Sequence, residues 1–419
     1  LGIGVTAALI AAVAFAHVLS RRRVSESTRR ARHHEHELAP RQGREAPFAA
    51  VAPDAEDARV VIGRALFFDP NLSTPAGTSC ASCHDPNQGY AGTNGASIGT
   101  ARGSKPGHFA RRNTPSVMYL RFVRRLHVIW DDDADHPELS GGFFWDGRAD
   151  TIAALVRDPL LHPDEMGNRS LREIARKIEA SAVANALRSE FDDVFASAEN
   201  TVVAISFCIE AFLTSRAMSP FSSKYDDFVR GEQALSALEQ QGLRLFEDPN
   251  TGACSGCHRL DHTSGLPESS MFTDYGYDVV AVPRNRKLAE NRDARRFDLG
   301  VCERRDPRIH TEDPWFCGAF RTPSLRNVAK RTRFMHNGYF ANLRDVVSFY
   351  ATRSTDPERW FTHGELDDLP MRYRDNLNLT VPPYNQLKGQ RPRLSDEDVD
   401  AIVAFLETLS DRDVPGGTN

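Results

Sequence analysis

The chain repeats one short pattern, Cys-x-x-Cys-His, in "SCASCHDP" at 79–86 and in "ACSGCHRL" at 253–260. No other feature restricts its fold as strongly. Two thiols at this spacing reach two vinyl groups on one edge of a porphyrin, and the adjacent imidazole then lies beneath the iron. The pattern is that of c-type haem attachment. One copy alone could be an accident, a zinc half-site or a redox pair. Here each copy ends in His, and each follows a matching approach, "GRALFFDPNLS" at 63–73 and "GLRLFEDPN" at 242–250. The pair therefore predicts two covalently bound haem c groups. Cys80 and Cys83 would hold the first with His84 as iron ligand, and Cys254 and Cys257 the second with His258. Attachment of this kind implies an exported protein.

The copies lie a domain's length apart, too far for a solenoid repeat. A chain of 419 residues can supply two ordinary cores. The apolar start "LGIGVTAALIAAVAFA" is short for a membrane span. Ala14, Phe15 and Ala16 resemble a signal-peptide cleavage site, with an uncleaved anchor as the alternative. The arginines that follow favour a cytoplasmic flank, whereas haem attachment argues for the exported side. The expected organisation is a signal peptide or membrane anchor at 1–20 and a disordered tether at 21–46. A first haem domain follows at 47–225 and a second at 226–414, in the periplasm. The net charge of −5, with acids and bases interspersed, lacks the concentrated basic surface of a nucleic-acid protein.

Helical periodicity dominates, so the expected fold is mostly α. "SLREIARKIEASAVANAL" opens on Ser170 and Glu173, a capping box. "SDEDVDAIVAFLETL" opens on Ser395 and carries the stripe Val399, Ile402, Val403 and Leu406. "NLRDVVSFYATR" puts Leu343, Val346, Val347 and Tyr350 on one face. Long loops at 85–116, 131–142, 261–323 and 354–397 are expected to wrap the haems. Cys302 and Cys317 read as a disulfide or as two free thiols, and Cys208 as a small buried apolar residue.

The motifs "GRALFFDPNLS", "RRNTPS", "FFWDGRAD", "DPLLHPDEMG", "SPFSSKYDDFVRG", "SGCH", "GAFRTPSLRNVA" and "FMHNGYF" occur in this order between about 55 and 410. In this they resemble the bacterial di-haem cytochrome c peroxidases and their relative MauG. The resemblance implies two mostly helical, cytochrome c-like haem domains with long loops, and hydrogen peroxide reacting at the first haem.

It also implies roles for single residues. The family's distal glutamate lies in a Pro-x-Glu-Met turn, here Glu165 in "HPDEM". Beside bound peroxide a carboxylate can take a proton from one oxygen and return it to the other. Taken alone, Glu165 reads as a surface acid. The family's inter-haem tryptophan matches Trp145, a relay between the irons or a buried interface aromatic. The second haem's axial ligand lies fourteen residues after the histidine of the family's Phe-His-Asp-Gly motif. Here that histidine is His336, which reads as structural, and the position falls on Tyr350. Ordinary family peroxidases have Met there and MauG has Tyr; without the resemblance Tyr350 reads as core. In the loop where classical members carry a blocking histidine, this chain offers only His108, so the first iron is expected to be open. The family's distal glutamine position is Leu155, which removes one polar partner of the peroxide. Calcium would bind the Asn113 side chain and the Arg331 and Arg333 carbonyls.

The expected function is a MauG-like peroxidase whose second, His/Tyr-ligated haem shares oxidising equivalents. Its reductant would be a small electron-transfer protein, a cytochrome c or cupredoxin, or a protein side chain being modified. The family often dimerises, which adds a homodimer to the expectations. One alternative is a conventional cytochrome c peroxidase with a Met ligand such as Met371. Another is a di-haem electron carrier with two six-coordinate irons and no peroxide turnover. The acidic run in the enlarged loop 119–142 reads as solvated surface or a docking site.

Overall fold

The computed structural model describes residues 54, 57–129, 137–304 and 314–417. The expected leader at 1–20, the tether at 21–46 and the acidic run at 131–135 lie outside the described residues. Among the described residues no helix is long and apolar enough to cross a membrane.

The fold is mostly helical. The first half contributes α1 (Ala58–Phe67), α2 (Cys80–Cys83), α3 (Ile152–Leu161), α4 (Leu171–Glu179), α5 (Ala184–Glu190) and α6 (Ala198–Thr214). The second contributes α7 (Lys224–Val229), α8 (Ala237–Glu247), α9 (Leu343–Thr352) and α10 (Asp396–Glu407). The matching approaches fold alike. α1 packs on α6, and α8 packs on α10. Both crossings close on a glycine. A Cβ at Gly63 would stand 1.9 Å from the Cys208 carbonyl oxygen, and one at Gly242 would stand 1.9 Å from that of Ala401. Only glycine lets the backbones approach this closely. After each helix the same Asp-Pro-Asn turn aims the chain into the attachment motif. The Asp69 carboxylate accepts the Asn71 N–H at 2.9 Å, and Asp248 accepts the Asn250 N–H at 2.9 Å.

Two apolar cores follow from these crossings. Leu66, Phe67, Ile174, Ile205 and Phe212 anchor the first. Tyr225, Phe246, Phe272, Phe349 and Phe405 anchor the second. Each such side chain contributes about 1.5–3 kcal/mol on burial. Cys208 is fully buried in α6, as expected.

Capping follows the sequence in part. Ser395 and Asp398 form a reciprocal box at α10. At α4 Ser170 accepts the Glu173 N–H, but the Glu173 carboxylate takes the Arg169 N–H at 2.9 Å and the Thr74 hydroxyl at 2.6 Å. The expected box is therefore half formed, because Thr74 competes for the carboxylate. Two short antiparallel ladders cross regions expected to be loop. β1 (His127–Ile129) pairs with β2 (Glu138–Ser140), and β3 (Tyr277–Asp278) pairs with β4 (Phe320–Arg321). Runs of two or three residues are too short to show an alternating pattern. Cys302 and Cys317 form a disulfide within the 261–323 segment.

Candidate active site

The two attachment motifs have the same near side. His84 N–H bonds the Cys80 carbonyl and His258 N–H bonds the Cys254 carbonyl, both at 2.8 Å. Nδ1 of His84 donates to the Tyr90 carbonyl at 3.0 Å, and Nδ1 of His258 donates to the Phe272 carbonyl at 2.9 Å. Each bond fixes the tautomer and leaves Nε2 unprotonated, the form that ligates a metal. Burial pushes the His84 imidazole down to about 4 and lowers His258 as well, so both rings are neutral. Burial pushes the thiols of Cys80, Cys83, Cys254 and Cys257 up to about 12. Thiols raised this far are poor redox nucleophiles, since the thiolate is the reactive form. Among the described residues no group of three His, Cys, Asp or Glu could hold a metal ion. Neither finding favours the redox or zinc alternative.

Each motif opens onto its own cavity. The first, of about 460 Å³, is lined by Cys80, Cys83, His84, Leu155 and Glu165. Glu165 sits in a turn just past α3, where its N–H bonds the His162 carbonyl at 3.1 Å. Burial raises its carboxyl above the ordinary range. Leu155 presents an apolar side chain where the glutamine was expected to be missing. His108 does not line this cavity. It is half exposed, with Nδ1 2.6 Å from an Asp164 carboxylate oxygen. Ser104 N–H to the Glu165 carbonyl, at 2.7 Å, pins the same loop to the Glu165 turn. His162 also lines the cavity and went unnoticed in the sequence, although it stands in the motif that names Glu165.

The second cavity, of about 190 Å³, has Cys254, Cys257 and His258 on its near side. The α9 stripe lines the same cavity: Leu343, Val346, Val347 and Tyr350. The same stripe belongs to the second core, with Val346 and Val347 buried in it. Burial raises the Tyr350 phenol, and the Asp278 carboxylate adds to the shift. Tyr384 stands beside it, with ring centroids 5.7 Å apart and a buried hydroxyl. Nothing in its Pro-rich loop marked Tyr384 in the sequence. Met371 is 78% exposed and does not line the cavity, whereas Met335 does.

Trp145 lines both cavities. Its Nε1–H donates to the Asn113 carbonyl at 2.7 Å, and its own carbonyl accepts the Arg321 N–H at 2.8 Å. His336 is buried and stacks on Phe320 with ring centroids 3.6 Å apart. The expected calcium donors assemble in part. The Asn113 amide meets the Arg333 carbonyl, but with Nδ2 facing it at 3.2 Å, and the Arg331 guanidinium donates to the adjacent Thr114 carbonyl at 3.1 Å.

Both cavities suit a haem c, with paired thiols, an imidazole held at Nδ1 by a backbone carbonyl, and largely apolar walls. The comparisons agree. A family described as di-haem cytochrome c peroxidase matches residues 57–234. The methylamine utilization protein MauG of Paracoccus denitrificans is 34% identical over 380 residues, covering 87% of this chain and 91% of that protein. The cytochrome c peroxidase Ccp of Escherichia coli is 27% identical over 337 residues, covering 79% and 60%. The diheme peroxidase BthA of Burkholderia thailandensis is 45% identical with a TM-score of 0.82, covering 89% of this chain and 91% of that one. A tyrosine-to-methionine variant of it has also been solved. Cavities, attachment motifs and relatives converge, and the chain is an oxidoreductase of the peroxidase class that belongs to the di-haem cytochrome c peroxidase and MauG family.

Proposed function

We propose that this chain is a MauG-like peroxidase of the periplasm. Hydrogen peroxide is reduced in the first cavity, and oxidising equivalents pass by way of Trp145 to a second centre ligated by His258 and Tyr350. They leave to a small electron-transfer protein or to a protein side chain that is modified. The two haem groups supply the iron redox chemistry, and His84, His258 and Tyr350 hold the irons. Glu165 is the proton acceptor for peroxide. Burial raises its carboxyl, which makes it a stronger base. Trp145 touches both cavities and offers an oxidisable ring between them.

The observation that carries this reading is that Tyr350 and His258 line one cavity, while Met371 is exposed and does not line it. Tyr350→Met in the holoprotein tests it. The second haem should change from a tyrosinate to a thioether spectrum by optical and EPR measurement, with a higher reduction potential. Unchanged spectra would mean that Tyr350 only packs. That outcome would favour a conventional peroxidase with Met335, which also lines this cavity. Glu165→Gln should slow the peroxide reaction by about 10²–10⁴-fold.

We also propose calcium at Asn113 and the Arg333 carbonyl. Its support is their convergence, and turning the amide over would present Oδ1. Calcium added to chelator-treated protein should raise the thermal midpoint, and no shift would remove the site.

A further inference from the structure

We infer that His162 is a second polar group of the first cavity, a hydrogen-bond donor to the small ligand bound there. This rests on the reading of that cavity as the peroxide site. His162 closes α3, where its N–H bonds the Asp158 and Pro159 carbonyls at 3.1 and 3.3 Å. It also opens the turn that carries Glu165, since its own carbonyl accepts the N–H groups of Glu165 at 3.1 Å and Gly167 at 2.9 Å. Its backbone is thus fixed from both sides. Its side chain lines the same cavity as Cys83, His84 and Glu165.

The ring's tautomer follows from one bond. Nδ1 accepts the Asp164 N–H at 3.2 Å. A neutral imidazole has one accepting and one donating nitrogen, so its proton sits on Nε2. Nε2–H is the polar group the ring has left for the cavity. A peroxide molecule presents both donors and acceptors. Glu165 accepts, while Leu155 can neither donate nor accept, and His162 supplies the donor. Glu165 and His162 line the same cavity and are joined through the Glu165 N–H to the His162 carbonyl, which places the two groups together.

The test separates the two ring nitrogens. Asn at 162 keeps an acceptor near the Nδ1 position and so preserves the turn. Gln puts an amide N–H near the Nε2 position and loses the Nδ1 acceptor. Fluoride is the probe, titrated optically against the ferric holoprotein. In His162→Asn the fluoride dissociation constant should rise about 10- to 100-fold, the worth of a hydrogen bond to a charged ligand. In His162→Gln it should return to within a few fold of the parent, and rates of reaction with peroxide should follow the same order. Parent-like fluoride binding by His162→Asn, or equal weakening in both variants, would overturn the inference and leave His162 a turn residue. Glu165→Gln keeps the two levels apart. If it leaves the peroxide reaction unchanged, the reading of the cavity fails, and this inference with it. If it slows the reaction while His162→Asn binds fluoride normally, only the role of His162 fails.

Discussion

Replacing Gly242 by Ala, and separately Gly63, sets two effects of opposite sign against each other. Inside a helix Ala is favoured over Gly by about 0.8–1.0 kcal/mol. Against this, a Cβ at 242 would stand 1.9 Å from the Ala401 carbonyl oxygen and 2.8 Å from the Phe405 Cβ. Atoms in ordinary contact sit at about 3.5 Å, so α8 and α10 would have to part by about 1.5 Å. The obstacle is backbone, and no rotamer change relieves it. Overpacking of this kind costs about 1–3 kcal/mol, and more where nothing yields. With the propensity gain subtracted, the upper half of that range leaves a loss of about 1–2 kcal/mol. The damage should reach the haem sites, because Ile402 and Leu406 of α10 line the second cavity, and Ile209 and Leu213 of α6 line the first. Urea unfolding of the holoprotein, followed by far-UV circular dichroism with haem absorbance as a second probe, measures both effects. Each variant should lower the midpoint, with Gly242→Ala disturbing the second haem and Gly63→Ala the first. A variant as stable as the parent, or more stable, would refute the reasoning, because helix propensity alone would then account for it.

Trp145→Phe keeps an aromatic ring but leaves the buried Asn113 carbonyl without its donor, at a cost of about 1–3 kcal/mol. It should also slow the spectral response of the second haem to peroxide, which rapid mixing would follow. Asp298 makes two bonds of 2.7 Å to the Arg112 guanidinium. Burial alone would raise its carboxyl, but the Arg112 charge outweighs burial and holds it well below the ordinary carboxylate range. A depressed folded-state value means stability that is present above about pH 4 and lost as the pH falls further. Asp298→Asn should therefore flatten the fall in stability below pH 4, as measured by thermal melts across pH. Replacing Cys302 and Cys317 together by Ser removes a disulfide with a sequence separation of 15. That change should lower stability by about 3 kcal/mol in denaturant titration.

What could be read from the chain is what is local. The attachment motifs, the Asp-Pro-Asn turns and the cap of α10 each lie within a few residues, and the structure builds them as the spacing implies. The α9 stripe was legible as a face, but its target was not. Periodicity shows that Leu343, Val346, Val347 and Tyr350 point one way, and a haem cavity looks the same to it as a hydrophobic core. Tyr384 was invisible for a different reason. It reaches the second cavity from a long irregular loop, where no period marks an inward residue. The resemblance led to Glu165 and Tyr350, since it supplied pairings across the chain that composition and period cannot.

The division between the two cavities has the same root. A duplicated attachment motif preserves the near side of a site, because the helix, the turn, the thiols and the histidine come from one continuous segment. The Gly63 and Gly242 crossings show how completely that segment is repeated. The far side has no such guarantee. In the first half it is a turn past α3, pinned by the 103–108 loop, which delivers the acid Glu165 and the imidazole of His162. In the second it is the cavity-facing stripe of α9, which delivers a phenol onto an otherwise apolar wall. A mutation on either far side leaves the attachment segment untouched. Two sites built alike in their attachment segments therefore differ in what else lines them, with Glu165 and His162 at one cavity and Tyr350 at the other.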